Sequence, residues 1–394
     1  MILDSDFPPD PRVENEARVL INAGMEVNLF AFSYDKNFVP VETYKGIKVH
    51  RFYCPRLLYK LSALAYTVPL YHLLLKNKIS KFISTTGCHA VHIHDIQVVR
   101  AIFMLRSKFK FKVVLDLHEN RPEIMQFYKH VRSFPWKYFI YPSLWKRKEE
   151  KYVKQSDGVV VVTNQAKADI VKRTKIDEDR VVVAPNVVEE NYADEQRIDQ
   201  GIVDKYSNDF VLLYLGDTSE RRGVQTAISA MVELRKEIDN IKLVVVGSSS
   251  YDGQLAQMIK RLELADSVDL CGWQDSGLFP SYIQASDICI SPLQRNKHHD
   301  TTYANKLFQY MALGGVLLVS DSEAQADLVH STGTGLVFKD GIVEDFVDKT
   351  LDIYKNEAAR KKYSENGISA VSEKYHWEKT GQDLVNYYRN LFIC

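Results

Sequence analysis

Short apolar runs alternate with amphipathic segments along nearly the whole chain. The runs are continuous and rich in β-branched residues, which is typical of strands in a parallel sheet that is covered on both faces. In the first half they are Met1–Leu3, Glu26–Phe32, Ile47–Phe52, Ala90–His94, Val113–Leu117, Gly158–Thr163 and Val181–Ala184. In the second half they are Phe210–Leu215, Lys242–Val246, Val268–Cys271, Ile288–Ser291, Val316–Val319 and Gly335–Phe338. Because helical segments separate these runs, we predict an α/β fold with two doubly wound sheets.

A polar segment, Asn186 to Asn208, separates the two series of strands and contains no obvious strand of its own. We therefore predict the boundary between two domains there, with residues 1–190 in the first and residues 205–374 in the second. The chain of 394 residues is long enough for each domain to have its own core. Residues 375–394 are predicted to form an amphipathic helix.

Composition excludes several classes of protein. An apolar content of 45% and a charged content of 26% are those of an ordinary globular protein, and the net charge of zero gives no general attraction to nucleic acid. The cysteines lack metal-like spacing and are odd in number, which favours a reducing cytoplasm over a disulfide framework. They are Cys54, Cys88, Cys271, Cys289 and Cys394.

The first residues and the apolar stretches of the chain indicate where in the cell the protein is located. The first residues lack the basic start and long apolar run of a signal peptide, and the stretch Leu61 to Leu75 is too short to span a bilayer. We expect a cytoplasmic protein, either free or at the inner face of a membrane. No GxGxxG follows a strand and no GxxxxGK[ST] occurs, which disfavours nicotinamide, flavin and P-loop enzymes.

Residues 284–321 are the segment that is most informative about function. The strand that ends at Ser291 is followed by a polar loop and by a predicted helix of about ten residues, with Thr302 as its N-cap and Gly314 just past its end. A strand, a polar loop and a helix start together predict an anion-binding site. Asn305 and Gln309 are four apart, so they share one helix face that could meet a ligand.

A second anion-binding signal lies between Leu215 and Val224. The strand ends at Gly216, and Arg221 and Arg222 precede Gly223 and the next predicted helix. Guanidinium groups beside a glycine at a helix start are typical of a phosphate clamp. The alternative is a turn that carries two solvated arginines.

Three further loops of the first half follow predicted strands, where α/β folds bind ligands. Arg12 follows the first strand, with a Pro-stiffened turn as the alternative. His92 and His94 project to one face and could bind zinc, but no third ligand lies at a convincing spacing, so a structural role remains open. Asp95 comes directly after His94.

Polar residues also follow the strand Val113–Leu117. Histidine usually titrates near neutrality, so His118 could hydrogen-bond a ligand or polarise a reacting centre. The alternative is that His118 is a core histidine. Glu119 is expected to support the residues beside it and not to react itself. In the second half, Gly247 opens a hydroxyl-rich turn and Trp273 follows another strand, where a core tryptophan is equally plausible.

These segments together resemble the family 4 retaining glycosyltransferases, which have the two-domain glycosyltransferase B (GT-B) fold. Asn305-Lys306-Leu307-Phe308, followed by x-Tyr-Met-Ala-x-Gly and an apolar strand, resembles the donor segment of that family. The loops at 216–223, 92–95 and 116–119 resemble its "G-R-x-x-x-x-K-G", "H-x-H-D" and "D-x-H-E" segments. The opening of the chain, Asp4 to Glu16, resembles its "D-x-x-P-P-x-x-R-x-x-x-E" segment.

The resemblance implies two Rossmann-like domains facing a central cleft, with the 375–394 helix returning to the first domain. It implies transfer of a sugar from a nucleotide-diphosphate donor in the second domain to a glycan or lipid-linked acceptor in the first, without a metal or other cofactor. The implied catalytic residues are His118 and Arg222. The implied donor residues are Gly216, Arg221, Arg222, Gly247, Trp273, Thr302, Asn305, Lys306 and Gln309. The implied acceptor-side residues are Arg12, His94, Asp95 and Glu119.

Three positions depart from the family pattern. Gln309 stands where a glutamate binds the ribose, Thr301 stands at the second glutamate, and Asp217 stands at an arginine that Arg221 could replace. Two alternatives therefore remain open. One is an inactive binding or scaffold protein, and the other is a nucleotide-sugar epimerase or hydrolase on the same fold.

Residues 106–154 form a basic region with thirteen Lys and Arg against five Asp and Glu, a local excess of eight positive charges. Aromatic residues are interleaved with these charges: Phe134, Trp136, Tyr138, Phe139, Tyr141 and Trp145. Such a region suits an anionic membrane surface or a pyrophosphate-linked lipid. A solvated face is the alternative, and no RNA-binding motif accompanies the region.

Overall fold

The computed structural model describes residues 1–128, 131, 133–134 and 136–393. Lys129 and Arg132 of the predicted basic region lie outside the described residues, as does Cys394. The chain divides into two compact units. The first contains Met1–Asn186 and Thr380–Cys394, and the second contains Val187–Lys379.

The first unit is built on an eight-stranded sheet with the order β3-β4-β2-β1-β5-β6-β7-β8. Its strands are β1 (Ile2–Asp6), β2 (Asn28–Ser33), β3 (Val41–Tyr44), β4 (Ile47–Tyr53), β5 (Ala90–His94), β6 (Lys112–Leu117), β7 (Gly158–Val161) and β8 (Val181–Val183). Neighbouring strands are parallel except β3 and β4, which form an antiparallel hairpin at one edge. The edge strand β3 is absent from the sequence prediction because Val-Glu-Thr-Tyr is half exposed and lacks a continuous apolar run.

Helices of the first unit connect these strands. They are α1 (Pro11–Asn22), α2 (Arg56–Lys60), α3 (Leu70–Thr86), α4 (Val99–Phe103), α5 (Arg121–Met125), α6 (Pro142–Gln155) and α7 (Asn164–Thr174). Asp10 is the N-cap of α1, because its side chain accepts the Val13 amide hydrogen at 3.1 Å.

The second unit is built on a six-stranded parallel sheet with the order β11-β10-β9-β12-β13-β14. Its strands are β9 (Phe210–Leu215), β10 (Ile241–Val246), β11 (Val268–Gly272), β12 (Ile288–Ser291), β13 (Leu317–Ser320) and β14 (Gly335–Phe338). Its helices are α8 (Gln200–Lys205), α9 (Val224–Glu237), α10 (Asp252–Arg261), α11 (Phe279–Gln284), α12 (Lys297–Asp300), α13 (Lys306–Ala312), α14 (Glu323–Thr332), α15 (Val343–Tyr354) and α16 (Glu357–Glu373).

The last helix, α17 (Trp377–Ile393), belongs mostly to the first unit. Leu384, Val385 and Tyr388 of α17 pack in the same apolar cluster as Leu3 and Val13. Each fully buried side chain of this size contributes about 1.5–3 kcal/mol. The helix is therefore part of the core of the first unit.

Both sheets carry apolar side chains on both faces. In β9, Val211, Leu213 and Leu215 join one cluster, and Leu212 and Tyr214 join the other. This alternation has the period of two that a strand imposes. The predicted α/β fold with two doubly wound parallel sheets is confirmed.

None of the described helices combines the length and the apolarity needed to cross a bilayer.

Candidate active site

Two glycines come directly after the strands β9 and β10 of the second unit. Gly216 has a φ of +116° and Gly247 a φ of +137°, which side chains other than hydrogen rarely tolerate. A Cβ at Gly247 would lie 1.9 Å from the Gly216 carbonyl oxygen, so the two loops touch through their backbones. Both predicted glycines therefore shape the carboxyl edge of the sheet.

The loop after β9 also packs against the loop after β12. A Cβ at Gly223 would lie 1.6 Å from the Pro292 carbonyl oxygen, and the Gln294 amide donates to the Arg221 carbonyl at 3.0 Å. The two anion-binding signals of the sequence, 216–223 and 288–316, are thus neighbours in space.

Two arginines and one carboxylate meet at this junction. Arg222 Nε lies 3.4 Å, and Arg221 Nη2 3.5 Å, from Asp217 Oδ2. Burial would raise the pKa of Asp217, but Ser219 and both arginines outweigh it and lower that pKa. The Asp217 side chain remains 39% exposed, so it attracts the arginines only through partly solvated contacts.

Lys306, the first residue of α13, adds a third basic group. Its Nζ lies 3.4 Å from the centroid of the Tyr214 ring, a cation–π contact. Burial and the nearby Arg222 lower the pKa of Lys306 well below its usual range. Two arginines thus share one carboxylate, with a lysine beside them whose neutral form is favoured, and an anion would favour the charged form of that lysine.

His299 was not predicted from the sequence, although it holds one of these arginines. Its Nδ1 hydrogen is donated to the Gln294 carbonyl at 2.7 Å, so its Nε2 can accept from Arg221 Nη1 at 3.0 Å. Burial lowers the pKa of His299 to about 3, which keeps the ring neutral. The only signal in the sequence was the polar, His-containing character of the loop.

The predicted N-cap role of Thr302 is wrong. The helix α13 begins at Lys306, with Asn305 as its exposed N-cap residue, and is shorter than predicted. Thr302 Oγ1 instead donates backwards to the His298 carbonyl at 2.9 Å. A threonine that bonds the preceding turn in this way ends one helix rather than starting the next.

Thr301 and Gln309 are the residues that the sequence resemblance places at the family's two glutamate positions. Thr301 is buried and its Oγ1 donates to the Lys297 carbonyl at 2.9 Å, so it serves the short helix α12. Gln309 is half buried on α13, and its side chain makes no hydrogen bond to any described residue. Of these two residues, Thr301 uses its hydroxyl within α12, whereas the amide of Gln309 is not used in this way.

A cavity of about 330 Å³ lies at the carboxyl ends of β9, β10 and β11. Its lining residues are Thr218, Gly247, Asp252, Gly253, Ala256, Leu270 and Gly272. Trp273 follows this lining and is 73% exposed, so the alternative of a core tryptophan is wrong. The cavity and the arginine loop share the edge of one sheet.

In the first unit, Asp116 is the hub of a buried charged group. Its Oδ2 lies 2.6 Å from His118 Nε2 and 3.2 Å from His94 Nδ1. His92 Nε2 lies 3.5 Å from the same oxygen. Asp116 and His94 are fully buried, whereas the His118 side chain is 19% exposed at the end of β6.

Arg12 is part of this buried group and does not line a surface loop. Only 4% of Arg12 is exposed. Its Nε and Nη2 donate to Asp116 at 3.1 and 2.8 Å, and Nη2 also lies 2.8 Å from Glu16 Oε1. Its third nitrogen, Nη1, donates to the Ala184 carbonyl at 2.9 Å. The predicted acceptor-side arginine therefore has all three nitrogens bonded within the protein.

His92 and His94 have neighbours that the spacing along the sequence does not reveal. One ligand atom each of Glu16, His92, His94 and Asp116 lies within 4.8 Å of the others, a spacing that could hold a metal ion. The fold rather than the sequence spacing brings them together. The guanidinium of Arg12 already engages both carboxylates, so the group is also complete as an ion-pair network.

Asp95 and Glu119 lie beside this group at the same sheet edge. Asp95 has a φ of +63° and its amide donates to the Asp116 carbonyl at 2.9 Å. Glu119 Oε2 lies 3.7 Å from Arg121 Nη1. Of the predicted residues of the first unit, the structure brings together Arg12, His94, Asp95 and His118, with Glu119 on the adjoining loop.

The aromatic residues of the basic region fall into two groups. Trp145 is 1% exposed and packs edge-on against Tyr66 with ring centroids 4.9 Å apart, so it belongs to the core and not to a surface. Five aromatics between residues 134 and 141 are exposed: Phe134, Trp136, Tyr138, Phe139 and Tyr141.

Comparison with known proteins agrees with this architecture. Residues 12–192 match the family model described as Glycosyltransferase Family 4, and residues 195–370 match the model described as Glycosyl transferases group 1. An uncharacterized glycosyltransferase of Methanocaldococcus jannaschii is 25% identical over 243 residues, which are 61% of this chain and 59% of that protein. The chain thus spans about three fifths of this curated relative.

Solved structures resemble the whole chain. Sucrose-phosphate synthase from Thermosynechococcus elongatus has a TM-score of 0.77 at 18% identity and covers 100% of this chain and 99% of its own. HepE from Anabaena, solved in complex with UDP, has a TM-score of 0.71 at 14% identity and covers 99% of both chains. At 18% and 14% sequence identity, these structural similarities show the fold alone. Taken with the two family models, it establishes that the chain belongs to the family 4 glycosyltransferases and has their GT-B fold.

Proposed function

We propose that this protein is a retaining glycosyltransferase of polysaccharide or glycoconjugate synthesis. It would move a sugar from a nucleotide-diphosphate sugar to a glycan or lipid-linked acceptor. The domain at 205–374 would bind the donor, and the domain at 1–190, joined by the helix near 375–394, would bind the acceptor. Retention of configuration is carried over from the resembling family.

The excess of basic groups around Asp217 carries this proposal. Arg221 and Arg222 contact one partly exposed carboxylate, and Lys306 lies near enough to feel the charges of Arg222 and Asp217, so the site is short of negative charge. A nucleoside diphosphate would supply that charge and would gain more of it as the bond to the sugar breaks. Donors placed in advance around a leaving anion stabilise the transition state, and removing one commonly costs a factor of about 10²–10³ in rate.

The nucleoside would lie beside the diphosphate at the same sheet edge. The cavity of about 330 Å³ is large enough for a base, and the exposed Trp273 ring could stack against one. Gln309 would face the ribose with a neutral amide. UDP is the first nucleotide to test, because the structurally similar HepE was solved with UDP.

A calorimetric titration with UDP, GDP, ADP and CDP tests the donor site. We expect one nucleotide to bind clearly tighter than the others and Arg222→Ala to abolish that preference. Transfer is then measured with the matching nucleotide sugars and a panel of glycan and lipid-linked acceptors. Absence of binding by all four nucleotides would contradict the proposal.

An inactive binding protein is the second candidate, and Thr301 and Gln309 favour it. Both family carboxylates are missing, and Thr301 is occupied with the backbone of α12. This candidate predicts nucleotide binding without transfer to any acceptor. An epimerase or hydrolase would instead consume the donor when no acceptor is present.

We also propose that the protein works in the cytoplasm at an anionic membrane surface. Two segments of the first unit are tied together, because Thr67 Oγ1 donates to the Phe139 carbonyl at 2.6 Å. Exposed apolar residues concentrate on these segments: Tyr59, Val68, Leu70, Leu73, Leu74, Phe134, Trp136, Tyr138, Phe139 and Tyr141. Lys60 and Lys137 are exposed among them and complement anionic headgroups.

Vesicle sedimentation tests this surface. We expect binding to phosphatidylglycerol vesicles but not to phosphatidylcholine vesicles, and weaker binding for Trp136→Ser combined with Phe139→Ser. Ile342→Ser, at an exposed apolar residue of the second unit, is the matched control. Equal binding by the double variant and the control would contradict the membrane role.

A further inference from the structure

The loop after β9 has a carboxylate where the resembling family has an arginine. Asp217 stands at that position, and its side chain is used within its own turn, where it accepts from the Ser219 amide at 3.1 Å and from the Ser219 hydroxyl at 2.7 Å. Arg221 lies four residues later, on the short turn Glu220–Arg222. An arginine side chain loses much conformational freedom when it is fixed, so Arg221 can replace the missing arginine efficiently only if a partner already holds it.

A buried histidine from the segment after β12 is such a partner. His299 belongs to the short helix α12 and is 1% exposed. Its Nε2 lies 3.0 Å from Arg221 Nη1. Since a guanidinium has donors but no acceptor, this contact is a hydrogen bond only when His299 Nε2 carries a lone pair. The ring must then be neutral, with its hydrogen on Nδ1.

The residues before α12 favour this tautomer. His299 Nδ1 lies 2.7 Å from the Gln294 carbonyl oxygen and 2.9 Å from Asn296 Nδ2. Asn296 Nδ2 donates to the same carbonyl at 2.9 Å, and Asn296 Oδ1 accepts from the His299 amide at 3.0 Å. The Gln294 carbonyl is therefore the acceptor for the Nδ1 hydrogen. Burial keeps the pKa of His299 low, at about 3, which agrees with a neutral ring.

The same segment also holds the backbone of the arginine. The Gln294 amide donates to the Arg221 carbonyl at 3.0 Å. The carbonyl of Leu293 accepts from the Ser320 hydroxyl at 2.5 Å, and that hydroxyl accepts from Gln325 Nε2 at 2.7 Å. Because Leu293, Ser320 and Gln325 are all buried, the segment that carries His299 has a firm base on the second sheet.

We propose that His299 is a positioning residue whose neutral Nε2 holds Arg221 where a diphosphate binds, so that Arg221 supplies the positive charge that the family has at the position of Asp217. Arg221 uses Nη1 for His299, while its Nη2 lies 3.5 Å from Asp217 Oδ2, on the side of the anion site. His299 itself does not touch the reacting atoms. This inference rests on the proposed function only for the identity of the anion.

A double-mutant cycle with inorganic pyrophosphate, measured by calorimetry on the whole protein, tests the inference. His299→Phe keeps a ring but removes the acceptor, and we expect it to weaken pyrophosphate binding about tenfold. In an Arg221→Met background the same substitution should change the affinity by less than about twofold, because the side chain that it positions is gone. A residue that only supported the fold would weaken binding equally in both backgrounds.

Two further variants complete the cycle. His299→Gln should recover most of the affinity that His299→Phe loses, since its amide oxygen can accept from Arg221. His330→Phe, at an exposed position of α14 in the same unit, is the control and should bind pyrophosphate like the wild type. If His299→Phe does not fold, His299→Leu takes its place in the cycle.

Nitrogen-15 NMR of the histidine rings tests the tautomer in the wild-type protein. The His299 ring is assigned through its bonds to its own backbone, so the result does not depend on the folding of any variant. We expect a hydrogen on Nδ1 and an unprotonated Nε2 at neutral pH.

Four results would overturn the inference: a hydrogen on Nε2 of His299, an imidazolium at neutral pH, an equal loss of affinity with and without Arg221, or no pyrophosphate binding by the wild type. The proposed function fails separately. Pyrophosphate binding that depends jointly on His299 and Arg221, without binding of any of the four nucleotides, would support the positioning of Arg221 and contradict the transferase.

Discussion

Asp116 and Asp217 lie at the carboxyl edges of the two sheets, and each is paired with arginine, yet their surroundings differ. Asp116 is fully buried and receives two hydrogen bonds from a single guanidinium at 2.8 and 3.1 Å. Asp217 is 39% exposed and faces two arginines at 3.4 and 3.5 Å, with Lys306 close by. In the first, balanced group the charged side chains pair with one another inside the protein, whereas in the second, unbalanced group two arginines face one carboxylate.

This difference separates two kinds of charged site. A balanced buried group stabilises and orients its members, so removing one member should disturb the fold and the neighbouring histidine. An unbalanced, partly solvated group leaves charge for a ligand to complete, so removing one member should disturb binding and rate while the fold persists.

Removal of an arginine from the unbalanced group should have the largest effect. We expect Arg222→Ala to lower donor turnover by about 10²–10³-fold, because a cation beside the leaving diphosphate is lost. Thermal unfolding should be nearly unchanged. Arg261→Ala, at an exposed arginine of the same unit, is the control and should retain full turnover. Equal turnover by both variants would remove Arg222 from the site.

Removal of the arginine from the balanced group should act on stability. Arg12→Met leaves Asp116 and Glu16 buried without their cation, which should cost about 3–5 kcal/mol. Differential scanning calorimetry should show unfolding of the first unit at a temperature lower by about 6–20 °C. The exposed Arg389→Met is the control, and its transition should stay close to that of the wild type. An unchanged unfolding temperature for Arg12→Met would contradict the claim that Arg12 stabilises the buried group.

The pH dependence of nucleotide binding tests the role of Lys306 in the unbalanced group. Burial and Arg222 lower its pKa in the free protein, so an arriving diphosphate should raise that pKa and cause proton uptake. Affinity should therefore fall as pH rises, and the heat of nucleotide binding should differ between buffers of different ionisation enthalpy. Lys306→Met should weaken binding about tenfold and abolish the uptake, because one charge-assisted contact is worth roughly 1.5 kcal/mol or more.

The control for this titration is Lys260→Met, at an exposed lysine of the same unit. It should keep both the affinity and the proton uptake. Uptake that persists in Lys306→Met would assign the proton to another group and separate Lys306 from the diphosphate.

The elements of the fold could be predicted from the sequence because each depends on a local pattern. The strands Phe210–Leu215 and Gly335–Phe338 have the predicted bounds. In a sheet that is covered on both faces, a short continuous apolar run predicts a buried strand. The start of α13 was missed because Thr302 can bond either forward or backward, and only the packed chain selects His298. Local signals therefore fail where two local partners compete.

The charged groups could be predicted only in part, because they depend on contacts between distant residues. Arg12 was noticed as a polar residue after a strand, and Asp116 as the first residue of the segment that resembles "D-x-H-E", but 104 positions separate them, and no spacing indicates that they bond. Tyr388 reaches His92 across 296 positions. Arg221 and Arg222 were recognised because both lie in one loop, whereas His299, which holds Arg221, comes from another loop.

Gln309 provides the smallest and most specific test, since Gln309→Glu adds a negative charge near the group that has an excess of basic side chains. Gln309→Glu restores the family carboxylate, and a charged hydrogen bond to a ribose hydroxyl exceeds a neutral one by about 1 kcal/mol, so nucleotide affinity should rise about fivefold. Gln284→Glu, the same change at an exposed position of α11, should leave affinity unchanged. Tighter binding by Gln309→Glu alone would place the ribose at α13. Weaker binding would mean that the new carboxylate repels the diphosphate more than it attracts the ribose, which would place Gln309 beside the phosphates.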